Sequence, residues 1–99
     1  MKQYIFGDLE FSWDERKARL NRRRHGVSFE EAATVFVDPT ARLYADPDHS
    51  EQEARFLLVG HSLRGRILLV VHAERSASIR IISARPVSQR ERGRYEADA

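Results

Sequence analysis

The run Ile79-Arg80-Ile81-Ile82-Ser83-Ala84-Arg85 sets two arginines five positions apart in a segment otherwise composed for a β-strand, and Pro86 closes it. An arginine in a strand either reaches solvent from an uncovered sheet face or is aimed at an anion. Other basic and imidazole groups fall into step with it. From Arg55 to His61, Phe56 and Leu58 share one face while Arg55, Leu57, Val59 and His61 share the other. From Arg66 to Glu74, Ile67, Leu69, Val71 and Ala73 form a wholly apolar face, opposite Arg66, Leu68, Val70, His72 and Glu74. Pairing His61 with Arg66 across the turn Ser62-Leu63-Arg64-Gly65 brings Arg55 opposite His72. A two-residue loop at Arg75-Ser76 would set Ile79, Ile81 and Arg85 beside His72, whereas a three-residue loop through Ala77 sets Arg80 there and sends Ile79 and Ile81 to the core. The second register buries the isoleucines and spares Arg80 an unpaired interior position. One sheet face is therefore expected to bear Arg55, His61, Arg66, His72 and Arg80, with Arg85 at the strand exit.

Arginines and histidines on an uncovered sheet face suit metal-free RNA cleavage. Guanidinium stabilises the extra charge on a pentacovalent phosphorus, a histidine or glutamate takes the 2′-hydroxyl proton, and a second group protonates the leaving 5′-oxygen. Each histidine is equally an ordinary strand residue, so composition speaks for anion binding more than for cleavage. The sequence holds no P-loop, zincin motif, nucleophile elbow or Rossmann fingerprint, and no carboxylate cluster for a two-metal nuclease. The loop Asp46-Pro47-Asp48-His49-Ser50-Glu51 lacks the glycine and ligand spacing of a calcium site and reads as a solvated turn. No metal and no cofactor is expected.

The 99 residues, 41% hydrophobic and 32% charged, suit one soluble globular domain. Without cysteine there are neither disulfides nor thiolate metal sites. No apolar run approaches the length needed to span a bilayer, so no membrane partner and a cytoplasmic location are expected. The net charge of +2 is unevenly spread: −1 over residues 1–12, +4 over 13–25, −6 over 26–53 and +5 over 54–99. Fifteen of the 17 basic residues are arginine, the side chain whose planar fork matches phosphate.

The elements that must position these groups follow from pattern. Ser12 and Glu15 have capping-box spacing and open a helix over Trp13 to His25, which Gly26 ends. Its cations Arg16, Lys17, Arg19 and Arg22 to Arg24 either complement the helix dipole or face a nucleic acid. Ser28 to Glu31 opens a second helix with Phe29, Ala32, Ala33 and Phe36 inward, ending at Asp38 before Pro39. A short strand at Ala41 to Ala45, the two longer strands above and the Ile79 run complete a sheet. Ser88 and Glu91 cap a polar C-terminal helix containing Tyr95. The expected fold is α+β, with two N-terminal helices on one face of a three- or four-stranded antiparallel sheet and a short C-terminal helix.

Trp13-Asp14-Glu15, Lys17, Asn21, Arg24 through Ala32, Phe36 and Asp38-Pro39 resemble the N-terminal signature of the BrnT toxin family. His49-Ser50-Glu51, Arg55, Gly60, Ile79 to Arg85, Glu91-Arg92 and Tyr95 resemble its second half. Arg24 stands where that family usually has lysine. The resemblance spans about residues 11–96 and implies a single toxin domain with a RelE-like fold: a ribonuclease toxin of a type II toxin-antitoxin pair, cutting mRNA without metal. A BrnA-like ribbon-helix-helix antitoxin is the implied partner, with operator DNA bound through their complex. The implied catalytic candidates are Arg55, Arg80, Arg85, Glu91 and Tyr95; His49, His61 and His72 compete for the acid–base work, His72 being counted with the catalytic group, and Lys17, Arg64, Arg66, Arg75, His61 and His49 are the candidate nucleic-acid contacts. Two rival readings remain at this stage, a non-catalytic homologue that binds antitoxin and co-regulates its operator, and a nucleic-acid binder using the first basic helix.

Overall fold

A computed structural model describes residues 1–47 and 53–98. The chain opens with a hairpin, β1 (Lys2–Phe6) and β2 (Leu9–Trp13), followed by α1 (Glu15–His25) and α2 (Phe29–Thr34), which runs into a 3-10 turn at Val35–Val37. Then come β3 (Arg42–Ala45), β4 (Phe56–His61), β5 (Ile67–Arg75), β6 (Ser78–Pro86) and α3 (Gln89–Asp98). The strands make one sheet in the order β1-β2-β6-β5-β4-β3. It is antiparallel except where β2 runs parallel to β6 through Phe11↔Ile79 and Ser12↔Arg80. The α+β class agrees with expectation, but the sheet is mixed and six-stranded, and a β-hairpin precedes the helices.

The hairpin exists because Phe11 and Trp13 alternate inward and are almost fully buried. With Trp13 held in β2, α1 starts later than expected. Its cap is Asp14, whose Oδ1 accepts the Lys17 N–H at 3.0 Å, and not Ser12, which β2 has absorbed. The second cap is as expected in part, since Ser28 Oγ accepts the Glu31 N–H at 3.0 Å. The Glu31 side chain bonds elsewhere: its carboxylate receives Arg66 in a two-pronged ion pair and the Ser62 hydroxyl at 2.7 Å. Phe29, Ala32 and Ala33 are fully buried against Leu58, Leu68, Val70 and Ile81, with Phe36 packed at the margin.

Two registers differ from the sequence reading. His61 pairs with Ile67, one residue later than expected, because Ser62 turns inward and its hydroxyl also receives the Arg64 and Arg66 N–H groups at 3.2 and 3.3 Å. That single step turns β5 over: Leu68, Val70 and His72 face the helices, while Ile67, Leu69, Val71 and Ala73 occupy the opposite face. The next loop is also tighter than expected, a two-residue turn at Ser76 and Ala77 in which Ser76 takes φ 52° and Arg75 pairs with Ser78. The two departures cancel for Arg80. It pairs with Ala73 and stands on the face opposite α1 and α2, while Ile79 and Ile81 go to the core side.

Strand β6 carries a bulge: His72 pairs with Ile81 and Val71 with Ser83, leaving Ile82 extra. Ile81 and Ala84 thereby both face the core although three residues apart. Beyond its short pairing with β2, β6 would expose its edge at Ala84. Asn21 of α1 covers it, donating from Nδ2 to Ala84 O (2.8 Å) and Val27 O (3.1 Å) while Oδ1 accepts the Ala84 N–H (3.1 Å). Replacing Asn21 by alanine removes the partner of three buried backbone groups, so Asn21→Ala is expected to cost ~3 kcal/mol. A lower urea midpoint with an unchanged m-value is the result that checks it.

Candidate functional site

The face opposite α1 and α2 divides in two. Helix α3 crosses the part above β3, β4 and β5, and the remainder carries Arg55, Ala73, Arg80 and Ser12 as one cross-strand row. Arg80 pairs with Ala73 on one side and Ser12 on the other. Arg55 precedes β4, and extending the Phe56↔His72 register by one residue sets it beside Ala73. The ion pair between Glu53 and Arg75, with Nε to Oε2 at 2.7 Å, agrees with that extension. Two strand spacings separate the arginines, roughly 10 Å. Ala73 between them is fully buried, Arg80 has no ion-pair partner among the described residues, and Arg55 Nε is buried with no hydrogen-bond partner among them. Buried donors of this kind are normally satisfied, so Arg55 Nε is a donor still lacking its acceptor.

Most other candidate residues have structural employment. Arg66, expected on the open face, turns to Glu31 and to Gly26 O (2.9 Å) and pins the β4–β5 loop to α2, because Ser62 draws its loop inward. Arg66 holds the Glu31 carboxyl below the ordinary range, overriding burial. Arg64 lies 3.7 Å from the same carboxylate and is mostly solvated. Arg85 makes a two-pronged pair with Glu91, each oxygen 2.7 Å from a guanidinium nitrogen. Ser88 completes the cap that was expected there, donating its N–H to Glu91 Oε1 (2.9 Å) and accepting the Glu91 N–H (3.1 Å). The Arg85 guanidinium and these donors bring Glu91 down to about 2. Tyr95 is buried, its hydroxyl donating to Thr40 O at 3.2 Å, and so anchors α3. Lys17 is exposed on α1, and His49 lies outside the described residues.

The histidines separate sharply. His72, expected beside the arginines, is 4% exposed on the helix-covered face, edge-on to Phe36 (4.8 Å) and stacked on Phe56 (5.8 Å), with both ring nitrogens unpartnered among the described residues. The one-residue shift between β4 and β5 put it there. Desolvation lowers its pKa to about 4, so it is a neutral core ring. His61 is 49% exposed, 6.0 Å from the Tyr95 ring, with Nδ1 3.4 Å from Asp38 Oδ2. The sequence reading missed Asp38's part, although the Asx-turn signal of Asp38-Pro39-Thr40 pointed to it. Burial raises the Asp38 pKa, but the N–H groups of His61 (2.7 Å) and Thr40 (2.9 Å) and the Thr40 hydroxyl (2.8 Å) outweigh it and leave it lowered. Gly60 permits the approach, since a Cβ there would sit 2.9 Å from Asp38 Oδ2 and 2.8 Å from Ala41 Cβ. Ser12, read as a helix cap, joins the arginine row, and nothing local in the sequence signals that.

No three His, Asp or Glu side chains among the described residues are grouped as metal ligands. No helix among them is long and apolar enough to cross a membrane. A family model described as "Ribonuclease toxin, BrnT, of type II toxin-antitoxin system" matches residues 13–91. The fold is similar to the crystal structure of the Brucella abortus ribonuclease toxin BrnT, with TM-score 0.62 and 23% identity over 80% of this chain and 96% of that one. No curated protein sequence matches.

His72 dictates a pH dependence of stability. Its folded pKa of about 4 lies below the ordinary 6.5, so between those values the unfolded chain binds a proton that the folded chain refuses. Its contribution is whole above pH 6.5 and falls as pH drops toward 4, by ~3 kcal/mol in all. Denaturant titrations from pH 7 to 4.5 are expected to show that decline in the wild type and a much flatter profile in His72→Phe.

Proposed function

The chain belongs to the BrnT family of ribonuclease toxins of type II toxin-antitoxin systems, and on that premise we propose that it cleaves RNA without metal on the face carrying Arg55 and Arg80. The observation that supports this is the row itself: two arginines flanking a small buried alanine, neither in an ion pair among the described residues, one with an orphaned buried Nε. A phosphodiester gains negative charge as the 2′-oxygen attacks. A guanidinium already positioned by a rigid sheet stabilises that charge without reorganising. Arg85 and Glu91, neutralised by each other, serve in this reading to fix α3 beside the row and leave the phosphate to Arg55 and Arg80. The proposal extends to residues 1–99 acting as one RelE-like toxin unit in the cytoplasm. A ribbon-helix-helix antitoxin would neutralise it and carry the complex to operator DNA.

Protein freed of antitoxin is expected to cut RNA in the presence of EDTA. Arg80→Ala and Arg55→Ala should each lower kcat/KM about 100-fold, on the scale of losing one oriented charge donor, with unchanged thermal stability. Arg66→Ala should instead lower the Tm, since it breaks the tie to Glu31. Intact RNA after incubation with folded wild-type protein would refute the reading.

A further inference from the structure

Beside the arginine row, between α3 and the sheet, runs a largely apolar groove of about 370 Å³, lined by Tyr44, Pro47, Leu57, Leu69 and Arg94 among others. Its sheet side is formed by Tyr44 of β3, its cross-strand partner Leu57 of β4, and the neighbouring pair Val59↔Leu69. Leu57 is two residues from Arg55 along β4, roughly 7 Å. The Tyr44 ring is half-buried and tethered by its hydroxyl to Asp98 Oδ2 at 3.4 Å. Arg94 stands at the rim, exposed and without an ion pair among the described residues. The carboxylate in the lining, Glu91, is already neutralised by Arg85.

The geometry points to this groove as a nucleobase subsite: it takes one unstacked base of the RNA whose flanking phosphate rests on Arg55 and Arg80. The inference rests on the ribonuclease reading and adds to it what holds the rest of the nucleotide. Charge decides the occupant. An apolar slot with Arg94 in its lining and the unpaired Arg55 and Arg80 in the row beside it suits a flat aromatic group carried on a polyanion, and unstacked bases are held by aromatic rings and arginine planes. One nucleotide has about the length that separates the row of cations from the apolar floor.

The test is methyl NMR on the free wild-type protein. AMP is expected to shift the Leu57 and Leu69 methyls, while ribose 5-phosphate leaves them still. Tyr44→Ala should raise KM for RNA roughly tenfold, the scale of one base–aromatic stack, and Tyr44→Phe should leave it unchanged. Groove methyls that ignore AMP, or that respond to the antitoxin alone, overturn the inference even if RNA is cleaved. A wild type that cuts no RNA, yet shows the AMP-specific methyl shifts, sinks the ribonuclease reading and leaves the base site standing.

Discussion

The extra residue at Ile82 is the constraint on which the arrangement depends. β6 is an inner strand, hydrogen-bonded to β5 along its length and to β2 at its start. Residues 80 and 85 differ by an odd number, so a regular strand would set Arg80 and Arg85 on opposite faces. The bulge reverses the alternation between them. Arg80 then shares a face with Ala73 and Arg85 with Leu69, both away from the core, while Ile81 and Ala84 both reach inward. Bulges that re-aim side chains in this way are common near functional sites. The hydrophobic demand of Ile79, Ile81 and Ala84 is what holds it in place.

Around that strand the charges divide by task. Glu31 with Arg66 and Ser62 fastens the β4–β5 loop to α2, Glu53 with Arg75 fastens the entry to β4, and Glu91 with Arg85 fastens α3. Each uses a carboxylate to retire an arginine from external work. Arg55, Arg80 and Arg94, like the arginines of α1, have no ion pair among the described residues, and these three border the same stretch of sheet. Charged pairs at the solvent edge contribute little stability on average, so the partly buried Glu31–Arg66 pair matters more to the fold than the exposed Arg92–Glu96 pair.

How much was legible from the chain varied with the range of the interaction that decides it. The second helix, the Ser88–Glu91 cap and the stop at Gly26 were readable because each depends on residues within four positions. Ser12 and Asp14 show the limit: both suit a helix cap, and the choice fell to Asp14 because burying Trp13 extended β2 past Ser12. The joining of the N-terminal hairpin to β6 was not legible, since a parallel pairing leaves no turn signal in sequence. Among the candidate site residues, Arg55 and Arg80 stayed together on one face, while His72 and Arg66 did not join them.

By itself, then, the sequence determined the α+β class, the alternation that makes Ile79 and Ile81 interior, the charge imbalance and the family to which its motifs belong. Tertiary structure decided which arginines are free and which histidine is buried. The reason is parity: one added residue in the Ser62 loop turns all of β5 over, the two-residue turn at Ser76 and Ala77 restores the start of β6, and one bulged residue re-aims its end. Such single-residue choices are made by what lies across the interface, here the Ser62 hydroxyl reaching Glu31 and the Asn21 amide reaching Ala84. Those partners are 31 and 63 positions away in the chain, beyond any local pattern.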